Sequence, residues 1–288
     1  PESLWPQAWL DGMPGDWLVG LHMLVVPGLE STPEVARLLA SSFDEASLVG
    51  SQVMDGALVV TDFRLNALAP TPANVEAHPL TQGGTVEHGL GRWLVQVEGM
   101  NERRLGRAVQ RLLEVETYRM MALLGLPAAR EVGAELATAE RDLATLAGEI
   151  RHAQATTEPE LLQRLTDLAA QVEGVYARTH ARFSASAAYF ELVQQRIDEL
   201  QETRAMGLQT LREFMDRRLA PAMQTCLWAS KRQQALSERV ARASNLLRTR
   251  VDIATEAQNQ QLLEKLTRGQ ELQLRLQSTV EGLSIAAI

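Results

Sequence analysis

The residues best suited to chemistry in this 288-residue chain are histidines with acids beside them. His78 and His88 flank a loop-like stretch, among Glu76 and Glu87. Imidazole nitrogens and carboxylate oxygens are the donors that divalent cations take, so these four could form a site for Mg2+ or another divalent cation. Solvated loop side chains are the plainer alternative. His22, His152 and His180 form no i,i+4 pair on an expected helix, and His22 falls in an apolar run where a core imidazole is the simpler reading.

Other chemistries fail on context. Gly89-Leu90-Gly91 lacks the third glycine of a dinucleotide fingerprint and precedes an expected strand rather than a helix. No Gly-x-Ser-x-Gly occurs, which removes support for a serine hydrolase. The single cysteine, Cys226, excludes an intramolecular disulfide and any cysteine-cluster zinc site, and it fits a reducing compartment. Asp44-Glu45 closes a short expected helix and reads as surface. With no nucleophile-base or metal-ligand set, the chain is not expected to be an enzyme.

Charge narrows the partners. Residues 1–100 hold three basic and twelve acidic side chains, whereas the remainder holds 25 and 24. The front is therefore an acidic domain, which argues against nucleic acid and suits cations or a basic partner. Apolar residues make up 45% of the chain but aromatics only 5%, so the core is built mainly from Leu, Ala and Val, a composition that favours helix. No stretch reaches the ~18 apolar residues of a membrane span.

The elements that must position these residues fall into three parts. Residues 1–126 read as an acidic α/β domain. A strand over 17–26, apolar on both faces, is expected in the middle of its sheet. Thr32-Pro33 opens a short helix, and Asp55-Gly56 joins two strands as a hairpin. A long loop over 66–87 precedes a strand over 88–98, with Trp93, Val95 and Val97 on one face and Leu94 on the other. Asn101 caps a helix whose candidate core is Leu105, Val109, Leu112, Leu113, Val115 and Met120.

Residues 127–221 read as a helical hairpin. Val132, Leu136, Ala139, Leu143, Leu146 and Ile150 recur at spacings of four and three, the pattern of a coiled-coil seam. Thr157-Glu158-Pro159-Glu160 reads as a capping box that restarts a helix reaching Leu219. Pro221 then marks either a turn or a kink. Residues 222–288 form a stalk helix of roughly 100 Å if unbroken, with a second seam at Leu236, Val240, Ala243, Leu247, Val251 and Ala254. Narrow seams of this kind need partner helices from the same chain or from copies of it. Arg103, Arg104, Arg107 and Arg111, and a second group from Lys231 to Arg250, are charged flanks of a bundle or contacts to the acidic domain. The fold class is α+β: a mixed α/β domain, a long-helix hairpin and a coiled-coil-like stalk.

Three runs carry a resemblance: Val60-Thr61-Asp62-Phe63-Arg64, RLLEVETYRMMAL at 111–123 and LRLQSTVEGLS at 274–284. They resemble an uncharacterised bacterial family of predicted membrane-anchored proteins, and the likeness spans most of the chain. It implies membrane helices after Ile288, which agrees with the loss of charge over 280–288 and with a start at Pro1 rather than methionine. It also implies a place at the bacterial inner membrane, and Arg268 and Arg275 favour a cytoplasmic side for this portion.

The architecture is also similar to CorA-type divalent-cation channels, which assemble as pentamers around stalk helices. Gly99-Met100-Asn101 precedes a soluble helix and is not their pore signature. No gating residue is carried over by motif; Asp252, the stalk position that this geometry would set against a neighbouring acidic domain, is a further candidate cation ligand. Two functions follow as expectations: a homo-oligomeric cation transporter or sensor of CorA-like build, or a membrane-anchored helical scaffold that binds partners without transport.

Overall fold

The computed structural model describes residues 20–28, 47–67, 89–154, 156–205 and 207–286, with isolated positions 12, 14 and 43. The architecture is α+β. A five-stranded mixed sheet holds β1 (Gly20–Pro27), β2 (Val49–Val53), β3 (Ala57–Ala67), β4 (Gly89–Val97) and the two-residue β5 (Thr203–Arg204). Among the described residues four helices accompany it: α1 (Glu102–Leu123), α2 (Gly125–His152), α3 (Glu158–Leu200) and α4 (Leu211–Ala286). The helix expected after Thr32-Pro33 and most of the long loop lie outside the described residues.

The strand order is β1-β4-β3-β2-β5. β2, β3 and β4 form an antiparallel meander, and β1 adds to β4 in parallel. This corrects the expectation that the first strand is central. The meander occupies both sides of β3 and one side of β4, so β1 takes the outermost described place, with Leu24 and Val25 about two-fifths exposed. The hairpin turn also sits one residue early. Met54 and Asp55 both carry positive φ, and the Gly56 N–H donates to the Val53 carbonyl at 3.2 Å. The turn is thus centred on Met54-Asp55, with Gly56 joining it to β3.

By compactness the chain divides into two units, residues 1–133 with 178–231 and residues 134–177 with 232–288. In the first, one face of the sheet presents Val59, Phe63, Trp93 and Val95 to a core shared with Leu112 and Val115 of α1, Ile197 and Leu200 of α3, and Leu211, Met215 and Cys226 of α4. The alternation of strand side chains sends Val60 and Leu94 to the opposite face. Asn101 caps α1 as expected, its side-chain oxygen accepting from the Arg104 N–H at 2.9 Å. Of the expected α1 core, Leu112, Val115 and Met120 are buried, whereas Leu113 is 37% exposed.

Within this unit the chain reverses between Leu200 and Leu211, not at Pro221. Gln201 and Gly207 both have positive φ, and β5 lies between them. The restart is a capping box at Thr210-Leu211-Arg212-Glu213. The Glu213 N–H donates to Thr210 Oγ1 at 3.2 Å, and the Thr210 N–H donates back to the Glu213 carboxylate at 3.1 Å. Glu202 reinforces it by accepting from the Leu211 and Arg212 N–H groups and from Ser51 Oγ. Pro221 is exposed inside α4, and the helix continues through it.

The second unit is built from α2, α3 and α4. Of the two seams expected from sequence, Leu136, Ala139, Leu143 and Leu146 on α2 and Leu236, Val240 and Leu247 on α4 are buried, whereas Ile150, Ala243, Val251 and Ala254 are half-buried; Leu161, Leu165, Leu168, Val172 and Val175 of α3 are buried as well. At the α2–α3 junction the expected box is not what forms. The Thr157 hydroxyl donates to the Gln154 carbonyl at 3.0 Å instead of accepting from the new helix. Arg250 closes this end, donating to the Ile150 carbonyl at 3.2 Å and pairing with the buried Glu158 carboxylate. A cation thereby meets the C-terminal end of α2 and an anion sits in the first turn of α3, as helix dipoles prefer.

Candidate functional site

Glu76, His78, Glu87 and His88, the proposed cation ligands, lie outside the described residues, as do Asp44 and Glu45. Asp252 is an exposed residue of α4 in the helical unit. Among the described residues no group of three or more His, Cys, Asp or Glu side chains is placed to hold a metal ion. His22 is half-buried on β1, opposite Arg92 of β4. Gly91 is buried within β4, where an added Cβ would meet Leu21 Cδ2 at 2.9 Å; its smallness serves strand packing. Cys226 is buried, and burial pushes its thiol up to about 11, which removes it from nucleophilic chemistry near neutral pH.

Members of both basic clusters, Arg111 in the first and Arg232, Arg242 and Arg250 in the second, pair with acids of the helices. Arg111 donates to Glu199 at 2.7 Å, and Arg196 bridges Glu114 and Glu199, tying α1 to α3. Arg232 grips Glu140 with both ends of its guanidinium. The hydrogen bond and charge of Glu140 raise the Arg232 pKa against partial burial.

Two of the three motif runs meet in the α/β unit. The 60–64 run contains a register irregularity between Thr61 and Leu65, and Phe63 there has φ of 53°. Thr61 and Asp62 stabilise the bend: Thr61 Oγ1 donates to the Arg92 carbonyl at 2.9 Å and accepts from the Phe63 N–H, while Asp62 accepts from the Arg64 N–H. The bend brings the Phe63 ring edge-on to Trp93 at 5.2 Å and parallel to Phe214 of α4 at 4.2 Å. The Arg119 guanidinium lies 5.2 Å from the Phe63 ring centre. It also holds Glu116 through two hydrogen bonds, at 2.7 and 2.5 Å.

Burial opposes the Arg119 charge, but the charge and hydrogen bonds of Glu116 outweigh it and hold the guanidinium above its usual pKa. Both side chains are buried, so the pair, which lies within α1 and reaches β3 through the Arg119–Phe63 contact, offers no open ligand position. The sequence marks α1 by its apolar residues, by Arg103, Arg104, Arg107 and Arg111 and by the 111–123 run, but does not single out Glu116 and Arg119 as a pair. Glu116 and Arg119 stand three apart on the same face, a spacing that carried the signal.

The third run leads to a different kind of surface. From Thr255 to Gln277 every residue of α4 is exposed. Leu262, Leu263, Leu266, Leu272, Leu274 and Leu276 are 58–66% exposed. Leu262, Leu266, Gly269, Gln273 and Leu276 follow spacings of four and three, which places them along one helical stripe. Glu264, Arg268, Glu271 and Arg275 follow the same spacings on the other side. The stripe was missed because its Gly and Gln positions interrupt the apolar count. What it can do is associate; it carries no reactive group.

Over residues 1–288 the chain matches the family described as "Protein of unknown function (DUF3422)", and it belongs to that family. No curated protein matches it. Among the described residues no helix is long and apolar enough to cross a membrane.

Proposed function

From a family that brings no activity with it, we propose that this protein is a homo-oligomeric helical scaffold, joined through residues 255–277 of α4 and presenting a rigid α/β unit. One observation carries the reading: a helical segment exposed on all sides that nonetheless holds a seam of leucines. Fully burying a leucine contributes about 1.5–3 kcal/mol. Leu262, Leu266, Leu272 and Leu276 are roughly three-fifths exposed, so covering them recovers on the order of 4–7 kcal/mol per helix. Two copies supply roughly twice that, against an association cost of about 4–15 kcal/mol. Pairing two such segments is close to balance, and each further copy improves it.

Charge favours helix over lipid as the cover. The polar side mixes Glu264, Lys265, Arg268, Glu271 and Arg275, unlike the Lys/Arg-rich face of an interfacial membrane helix. Analytical ultracentrifugation of the chain and of a Leu262→Gln/Leu266→Gln variant tests the proposal. The native chain should sediment above 31.8 kDa and the variant at that mass; a native chain that stays monomeric at high micromolar concentration refutes it.

A CorA-type channel is the second reading, favoured by the unbroken course of α4 from Leu211 to Ala286. It predicts Mg2+ flux when the full-length protein is reconstituted in liposomes. A scaffold gives none.

A further inference from the structure

We infer that the copies associate through residues 262–276 in parallel and in register, as a bundle of more than two helices keyed by Gln273; this rests on the association proposed above. The spacing assigns the layers. A step of four followed by a step of three makes Leu262, Gly269 and Leu276 d positions, and Leu266 and Gln273 a positions. In a parallel, in-register bundle each a residue faces its own copies. Gln273 then meets Gln273, and an amide that both donates and accepts can be satisfied in a ring of its own kind. In an antiparallel pair a faces d, so Gln273 would face Gly269 or a leucine, neither of which has a side-chain partner for it. Shifting a parallel bundle by one heptad sets Gln273 against Leu266 and carries the same penalty. A single polar a layer of this kind fixes register and orientation at some cost in affinity.

The flanks set the number of copies. Leu263 follows a d position and so occupies e, and Leu272 precedes an a position and so occupies g. Both are more than three-fifths exposed. In a two-stranded coil e and g positions stay at the rim, where charged pairs are the common choice. Leucine on both sides widens the apolar stripe beyond what one facing helix covers, and a third or further helix buries it. Gly269 lies one layer below Gln273 and leaves room at the axis for the longer amide to fold into.

Cysteine crosslinking reads the orientation directly, because the single native thiol, Cys226, is buried and serves as a silent background. Leu266→Cys should form a disulfide-linked pair under mild oxidation, at a yield at least tenfold above the native chain. Light scattering of the native chain should give three or more times 31.8 kDa. Gln273→Leu should lower the midpoint concentration of dissociation by about tenfold, the equivalent of ~1.4 kcal/mol. In that background Leu262→Cys should also crosslink to Gly269→Cys, one heptad away.

If crosslinks form only when Leu266→Cys is mixed with Leu276→Cys, the helices are antiparallel and the inference fails while the association stands. A dimer mass overturns the copy number, and an unaltered midpoint and register in Gln273→Leu overturn the keying role. A native chain of monomer mass without crosslinks at any position removes the association itself.

Discussion

Replacing Arg119 with methionine is expected to destabilise the α/β unit by about 3–5 kcal/mol, because Glu116 is then left as an uncompensated buried charge. Glu116 is 1% exposed, and both of its carboxylate oxygens accept from Arg119, so water cannot take over as partner without opening the core. Glu116→Leu should cost a similar amount by stranding the guanidinium beside Phe63. The double variant Glu116→Leu/Arg119→Met removes both charges at once and should recover most of the loss, since an apolar pair of like volume satisfies a buried site about as well as an ion pair. With each single variant losing about 3–5 kcal/mol and the double variant no more than about 1–2, the cycle predicts a coupling of at least ~4 kcal/mol. Urea unfolding followed by circular dichroism measures it. In heat, at about 2–4 °C per kcal/mol for a unit of this size, each single variant should melt on the order of 10 °C lower. Single losses below ~1 kcal/mol, or a double variant as unstable as the sum of the two, would refute the closed-pair account.

Other consequences are local. An added Cβ at Gly125 would lie 2.4 Å from Ser186 Oγ and 3.2 Å from Cys226 Sγ, so Gly125→Ala should destabilise by about 1–3 kcal/mol. Ser186 Oγ is buried without a hydrogen bond among the described residues, so Ser186→Ala should be neutral or stabilising by up to ~1 kcal/mol and should soften Gly125→Ala; denaturant midpoints of the two singles and the double decide this. Thr210→Ala should cost about 1 kcal/mol by removing a helix cap, whereas Thr157→Ala should cost less than ~0.5 kcal/mol; equal losses in the same unfolding assay would contradict the two cap assignments. The Arg232 hydrogen bond, together with the Arg232 and Arg239 charges, holds the Glu140 carboxyl below the usual glutamate value against partial burial. A depressed folded pKa gives stability that is complete above the unfolded value and is lost as pH falls through the folded one. Arg232→Met should thus flatten the acid limb of the stability profile of the helical unit below the ordinary glutamate pKa, and an unchanged limb would count against the pairing.

What the sequence revealed was what repeats or sits next to its cause. The 4-3 seam at 132–146 is buried as its spacing requires, as are Leu236, Val240 and Leu247 of the second, and Asn101 caps the helix that directly follows it. What stayed hidden depends on partners distant in sequence. Thr157-x-x-Glu160 and Thr210-x-x-Glu213 carry the same pattern, yet the reciprocal bonds form at the second, where Ser51 of β2 and Glu202 gather on the same helix start. An apolar first strand suggested a central place, yet no residue of β1 is fully buried, because the meander sent the strand to an edge. The bend that turns Phe63 towards Arg119 involves a non-glycine residue at positive φ, which no local preference announces. The leucines of 262–276 were legible as letters. Their exposure, which makes them a surface rather than a core, became visible only once α4 was placed beside the other helices of its unit.

Sedimentation equilibrium over a wide concentration range tests the central claim most directly. The account predicts a mass of at least three times 31.8 kDa that falls to 31.8 kDa in Leu262→Gln/Leu266→Gln, with helicity unchanged. A native chain holding 31.8 kDa throughout, or a variant whose mass does not fall, would contradict it.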